Sequence, residues 1–226
     1  MCKNSILKVV LILTFISLQC GCSLSKEPRN IFYAKQEIIK YYDSGAYDAE
    51  VAKVVSQAKS YLAQRIKANN ALGDKKKLAM VLDIDDTLLS HYKNLRQLDF
   101  GISNEIIVKE SVAKWNLPAI TATLDLYNFA KKNNIAIFLI CARKADLTKI
   151  TIKNLHDAGY SDWSGLYLRP LNYKQKSFVD FKTNIRKTLT KSGYAVIINM
   201  GDQYSDLRGG YAEKAFKLPN PLYRSV

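Results

Sequence analysis

The order of apolar segments constrains this chain more than any other feature. Strand-like runs at "LAMVLD" (78–83), "IAIFLIC" (135–141), "GLYLR" (165–169) and "YAVIINM" (194–200), with a short last one at "AFKL", are separated by "AITATLDLYNFAKKN", "ADLTKITIKNLHDAG" and "SFVDFKTNIRKTLTKSG". Nearly continuous apolar strands alternating with helices of that length predict a parallel sheet covered on both faces. In such a sheet the ligand crevice opens outside the carboxyl ends of the strands. Upstream, Ile31, Ile38 and Tyr42, then Val51, Val55, Ala58, Leu62 and Ile66, recur at helical spacing on either side of "DSGAYD". Two helices therefore precede the first strand.

The first strand runs straight into "DIDDT", which puts Asp83, Asp85 and Asp86 within four positions. Like charges so close repel, and the arrangement is costly unless a cation or a reaction uses them. A second acidic pair, Asp202 and Asp206 of "GDQYSD", follows another predicted strand, so two carboxylate clusters converge on one crevice. Carboxylate oxygens with no His or Cys at ligand spacing suit a hard cation, Mg²⁺ before Zn²⁺. Arg143 behind the second strand and Lys182 and Arg186 on the predicted helix before the fourth supply positive charge. Carboxylate nucleophile, divalent cation and lysine together describe phosphoryl transfer. Each piece also has a plainer reading. Asp202 and Asp206 alone would serve as helix caps, and Lys182 alone would be a surface lysine. His91 and His156 offer no metal spacing and are expected to be surface or packing residues outside the mechanism.

The chain has 226 residues, 48% hydrophobic and 24% charged, enough for one full globular core. Residues 1–22 have the layout of a secretory signal: Lys3 and Lys8, the apolar run Val9 to Leu18, then "QCGCS". That run is too short for a stable membrane anchor. Cys22 after Gly21 would be the acylated residue of a lipoprotein, whereas cleavage near Ser23 would give a free periplasmic protein, and both readings stay open. Of the four cysteines only Cys141 lies outside this segment, so no disulfide framework exists in the body of the chain. The net charge of +14 raises nucleic acid as a partner. The lysines are spread over every segment, however, and a solvated basic surface accounts for them.

The same residues resemble a known family. "DIDDT" is similar to the DxDxT signature of haloacid-dehalogenase (HAD) superfamily phosphatases, and "GDQYSD" to their GDxxxD motif. Further stretches, "LPAITATLDLYNFAKKNNIAIFLICAR", "TIKNLHDAGYSDWSGLYLR", "FKTNIRKTL" and "FKLPNP", resemble the subfamily IIIB acid phosphatases, the branch of plant vegetative storage proteins and bacterial lipoprotein acid phosphatases. The resemblance implies a three-layer, Rossmann-like α/β core over 77–226 with a small cap insertion at about 90–117. Residues 23–76 then form an N-terminal helical extension. It implies Asp83 as nucleophile, Asp85 as general acid and then base, and Lys182 as the motif lysine. Mg²⁺ would be held by Asp83, Asp202 and the backbone carbonyl of Asp85, with Asp206 in support. Asp86 falls at a variable position and is expected to be structural. Cys141, Ala142 and Arg143 fall on the phosphate-binding motif, where Cys141 replaces the family's Ser or Thr.

The expected function is a Mg²⁺-dependent acid phosphatase acting on small phosphomonoesters, nucleoside monophosphates among them, through an aspartyl-phosphate. It is exported to the bacterial periplasm or the outer membrane, and touches a membrane only through a lipid anchor. The alternative is a catalytically weak storage or binding protein of the same fold. A third reading, a nucleic-acid binder, predicts steep salt dependence and is not favoured. The 90–117 segment is a candidate lid, in which Tyr92, Phe100 and Trp115 either stack on a leaving group or form the lid's own core. The oligomeric state and the physiological substrate are not fixed by the sequence.

Overall fold

The computed structural model describes residues 28–101, 116–175 and 177–225. The signal-like segment, Trp115 and half of the expected lid lie outside these residues. Five strands form one parallel sheet: β1 (Lys77–Leu82), β2 (Ala136–Lys144), β3 (Gly165–Arg169), β4 (Tyr194–Gly201) and β5 (Lys214–Lys217), in the order β3-β2-β1-β4-β5. The chain steps from β1 outward to β2 and β3, then crosses back to β4 on the other side of β1. The order thus reverses between β1 and β4, the place where open α/β sheets bind ligands. The α/β class and the parallel sheet are those expected from the alternation of segments.

Side-chain alternation along the strands sorts the core into two layers. Met80, Leu82, Leu139 and Ile198 face a large cluster that contains Val51, Val55, Ala58 and Leu62 of α2 (Ala46–Asn70). Leu126 and Tyr127 of a helix spanning Thr121–Lys132 and Leu155 of one spanning Thr148–Asp157 complete it. On the opposite face Ala79, Val81, Phe138, Ile140 and Val196 pack against Phe181 and Leu189 of the helix Val179–Lys191. In chain order these helices are α4, α5 and α6. The short α3 (Tyr92–Gln97) lies between α2 and α4 in sequence.

The helical reading of residues 31–70 needs one correction. The first helix, α1 (Ile31–Asp43), buries no residue, and Ile31 is 69% exposed. It is attached at its end instead. Tyr42 stacks on Tyr47 of α2 at 4.2 Å between ring centroids and on Tyr92 of α3 at 3.8 Å. Tyr92 is thereby used in packing and is not free to meet a leaving group. Among the described residues no helix is long and apolar enough to cross a membrane.

Candidate active site

Asp83 is the residue after β1, and its backbone N–H donates to the Met200 carbonyl of β4 at 3.0 Å, which locks the carboxyl ends of the two central strands together. By the alternation of β1 its side chain falls on the layer covered by α6. From α6, Lys182 Nζ donates to Asp83 Oδ1 at 2.5 Å and to Asp206 Oδ1 at 2.6 Å, with all three residues buried. Carboxylate oxygens of Asp83, Asp202 and Asp206 lie within 4.8 Å of one another. Three carboxylates against one ammonium leave two negative charges, and every donor is oxygen. That set fits a hard divalent cation.

The loop carrying Asp202 and Asp206 is fixed from several sides. Asp206 caps the short α7 (Tyr204–Leu207) by accepting from Gln203 N at 2.8 Å through Oδ2, so the capping reading of this residue holds while Oδ1 accepts from Lys182. A Cβ at Gly201 would lie 2.4 Å from Asp206 Oδ2, so only glycine admits that carboxylate here. Arg186 is fully buried and donates to the carbonyls of Asp206, Arg208 and Gly210, which makes it a clamp on this loop and not a ligand group. Asp202 accepts from the Thr87 hydroxyl at 3.1 Å, from Gln203 Nε2 at 2.7 Å and from Asn220 Nδ2 at 2.6 Å. Burial raises the Asp202 carboxyl to about 7, reinforced by the charges of Asp206 and Asp86 and opposed by its Asn220 and Gln203 donors. Burial raises Asp83 well above the usual carboxylate range too; Lys182 opposes this, and Asp206, Asp202 and Asp85 add to it.

Asp85 has a different set of partners. Arg143 Nε donates to both of its oxygens at 3.0 Å, and the Arg143 Nη2 group to Oδ1 at 2.5 Å. The remaining Nη1 group of Arg143 donates to Thr151 Oγ1 and Asn154 Oδ1 of α5, each at 3.2 Å, and the side chain has no exposed surface. Each nitrogen of Arg143 thus has a partner inside the protein, and the side chain clamps Asp85 rather than presenting an open surface to phosphate. Cys141 is buried as well, and its Sγ lies 3.3 Å from Asp85 Oδ2, so its nearest charged partner is that carboxylate and not an open surface. Burial pushes the thiol up, with the Asp85 and Asp83 charges adding to it. Burial alone would raise Asp85, but the Arg143 charge, with His91 behind it, holds it well below the usual range. Ala142 is half-buried beside a register shift between β2 and β3 at Cys141–Lys144, and its carbonyl accepts from Arg169.

His91, expected as a surface or packing residue, is buried against charged groups. It is 3% exposed and stands between two carboxylates: Nδ1 is 3.1 Å from Asp86 Oδ2, and Nε2 is 3.5 Å from Asp85 Oδ1. The histidine count and spacing gave no sign of this, since the signal is a tight turn and not a metal pattern. Asp86 is structural, as expected, with a left-handed φ of 52°.

A family model described as HAD superfamily, subfamily IIIB (acid phosphatase) matches residues 22–226. The chain belongs to subfamily IIIB of the HAD superfamily. It is 31% identical over 193 residues to acid phosphatase 1 of Solanum lycopersicum, covering 83% of this chain and 73% of that one. It is 33% identical over 148 residues to vegetative storage protein 1 of Arabidopsis thaliana, covering 63% and 54%. The fold is similar to that of the class C acid phosphatase from Bacillus anthracis, with a TM-score of 0.67 and 21% identity over 84% of this chain and 86% of that one. As a subfamily IIIB protein the chain is a phosphoric monoester hydrolase of the acid phosphatase type. The two clusters around Asp83 and Asp85 are where that subfamily's DxDxT motif falls.

Proposed function

We propose that this acid phosphatase works through an aspartyl-phosphate on Asp83, with Mg²⁺ as its cation and small phosphate monoesters, nucleoside monophosphates among them, as substrates. The observation that supports this reading is the meeting of Asp83 with Lys182, Asp202 and Asp206 at the carboxyl edge of the sheet. Asp83 forms a bond to phosphorus while the bond from phosphorus to the leaving oxygen breaks, and Asp85 gives that oxygen its proton. Water, deprotonated by Asp85, then attacks the acyl-phosphate, which releases phosphate and restores Asp83. Lys182 moderates the repulsion among the carboxylates and faces the charge that develops on the phosphoryl oxygens. Asp83, Asp202 and the Asp85 backbone carbonyl would hold the cation, with Asp206 behind them. When bound, it supplies further positive charge against the phosphoryl group.

A panel of nucleoside monophosphates, sugar phosphates and aryl phosphates, assayed with and without Mg²⁺, tests the reading. Turnover that vanishes with a chelator and returns with Mg²⁺ is the expected result. Full turnover in a chelator would overturn the cation assignment, and no turnover on any monoester would favour the storage reading that the vegetative storage relative suggests. We also assign residues 1–22 to export, by a cleaved signal or a lipidated Cys22. Mass spectrometry of the mature N-terminus distinguishes the two, and an intact Met1 in a cytosolic fraction would refute both.

A further inference from the structure

The turn after β1 folds back on itself within a few residues. The Ile84 carbonyl accepts from the N–H groups of Thr87, Leu88 and Leu89, and Asp86 N–H donates to the Leu89 carbonyl at 2.8 Å. This compact turn returns the chain over Asp85 and delivers His91 to it. The ring is then fixed from behind. Asp86 accepts from His91 N–H at 2.9 Å, from the ring Nδ1 at 3.1 Å and from the Tyr223 hydroxyl at 2.8 Å. A carboxylate only accepts, so Nδ1 is the donor on that side and Nε2 is left facing Asp85. The Asp85 carboxylate is bounded by Arg143 at both oxygens, by Cys141 at Oδ2 and by the imidazole near Oδ1.

We propose that His91, held by Asp86 and Tyr223, is a positioning residue that orients the Asp85 carboxylate toward the leaving oxygen. This rests on the reading of Asp85 as the proton donor to that oxygen. Without the imidazole, Asp85 keeps its bonds to Arg143 and Cys141 but loses the group that faces its Oδ1 from the turn, and proton delivery loses part of its geometry. The enzyme should then suffer on substrates that need a proton at the leaving oxygen and much less on those that do not.

The test compares kcat/KM, which reports the steps up to formation of the phosphoenzyme, for an alkyl phosphate and for 2,4-dinitrophenyl phosphate. His91→Asn should lower the alkyl value by roughly 30-fold and the dinitrophenyl value only a few-fold, less than the roughly 10²–10⁴-fold that a whole general acid contributes because Asp85 itself remains. His91→Gln, whose amide nitrogen reaches the place of Nε2, should recover part of the alkyl rate. Tyr223→Phe should show the same selectivity in weaker form. Equal losses on both substrates, or no loss on either, would overturn the proposal and leave His91 a packing residue, and melting temperatures taken on each variant identify simple misfolding. Asp85→Asn is the control for the underlying reading. If it shows the selective loss and His91→Asn does not, this inference alone fails. If Asp85→Asn loses both substrates equally, the assignment of Asp85 as acid fails and takes this inference with it.

Discussion

Asp83 and Asp85 stand two residues apart at the end of one strand, and the protein treats them in opposite ways. Burial pushes the Asp83 carboxyl up, and the single ammonium it shares with Asp206 opposes this while the charges of Asp206 and Asp202 add to it. Asp85 has a guanidinium almost to itself with an imidazole behind it, and its carboxyl is held down. Asp83 is buried and Asp85 half-buried, yet burial pushes both carboxyls up, so the count of positive partners is what separates them. In the chemistry proposed above, Asp83 must be ionised and Asp85 must carry a proton, which is the reverse of what each environment favours before anything binds. A cation beside Asp83 and the negative charge of a phosphate monoester beside Asp85 would each move its own carboxylate toward its working state. The site is thus built to be completed by its ligands.

The largest expected effect comes from removing the group on the first side of this comparison. Asp83→Asn should lower kcat by about 10⁴-fold or more, as loss of a nucleophile does, while leaving a folded protein with the Lys182–Asp206 pair intact. Turnover near that of the unaltered enzyme in a folded sample would end the proposed mechanism. Next in size is Arg143→Met, which strips Asp85 of its main partner and leaves a buried charge, at a stability cost of about 3 kcal/mol. With the guanidinium gone, Asp85 holds its proton to higher pH. The alkaline limb of the remaining activity should therefore move upward, and a limb that does not move would mean that Asp85 is not the titrating acid.

How the two carboxylates couple to folding gives a third test, read by melting temperature without any assay of turnover. Asp202 and Asp83 bind protons more tightly folded than unfolded, so in a chelator their ionisation should lower stability as pH rises from about 4, the ordinary carboxylate value, to about 7, where Asp202 titrates. Asp85 works in the other direction. Its contribution is present above about pH 4 and is lost as pH falls below that value. Mg²⁺ should therefore raise the melting temperature more at pH 7 than at pH 4, and Asp83→Asn should flatten the slope between them. A Mg²⁺ effect equal at both pH values would break the comparison. The smallest effect is expected of Cys141→Thr. Because the thiol meets Asp85, kcat/KM should change by less than roughly threefold, while the extra methyl in a buried position lowers stability by about 1 kcal/mol. A tenfold gain in kcat/KM would show instead that this position meets the substrate phosphate.

Much of this arrangement was legible because it follows from short-range pattern. The five strands appear where apolar runs end in turn residues, and Asp83 and Asp202 meet because they follow the two strands that flank the reversal of sheet order. Partners chosen by the tertiary structure were not legible. An arginine just after a predicted strand reads as a ligand group, and only the approach of Thr151 and Asn154 from α5 turns it inward to hold Asp85. His91 gave no spacing signal, since a single imidazole acquires meaning from the turn that folds it over Asp85. The sequence pattern also assigned Ile31 to an apolar face that the folded chain leaves in solvent, because α1 is attached at its C-terminal end through Tyr41, Tyr42 and Asp43.

The bonds that complete the site span long stretches of chain: Lys182 reaches Asp83 across 99 residues, Thr87 reaches Asp202 across 115, and Tyr223 reaches Asp86 across 137. Contacts of such separation form late, because each closes a loop whose entropy must first be overcome. Recovery of enzymatic turnover after dilution from denaturant should accordingly lag behind recovery of helical signal. The catalytic edge then acts as a clock for the last stage of folding, silent until the whole sheet has assembled.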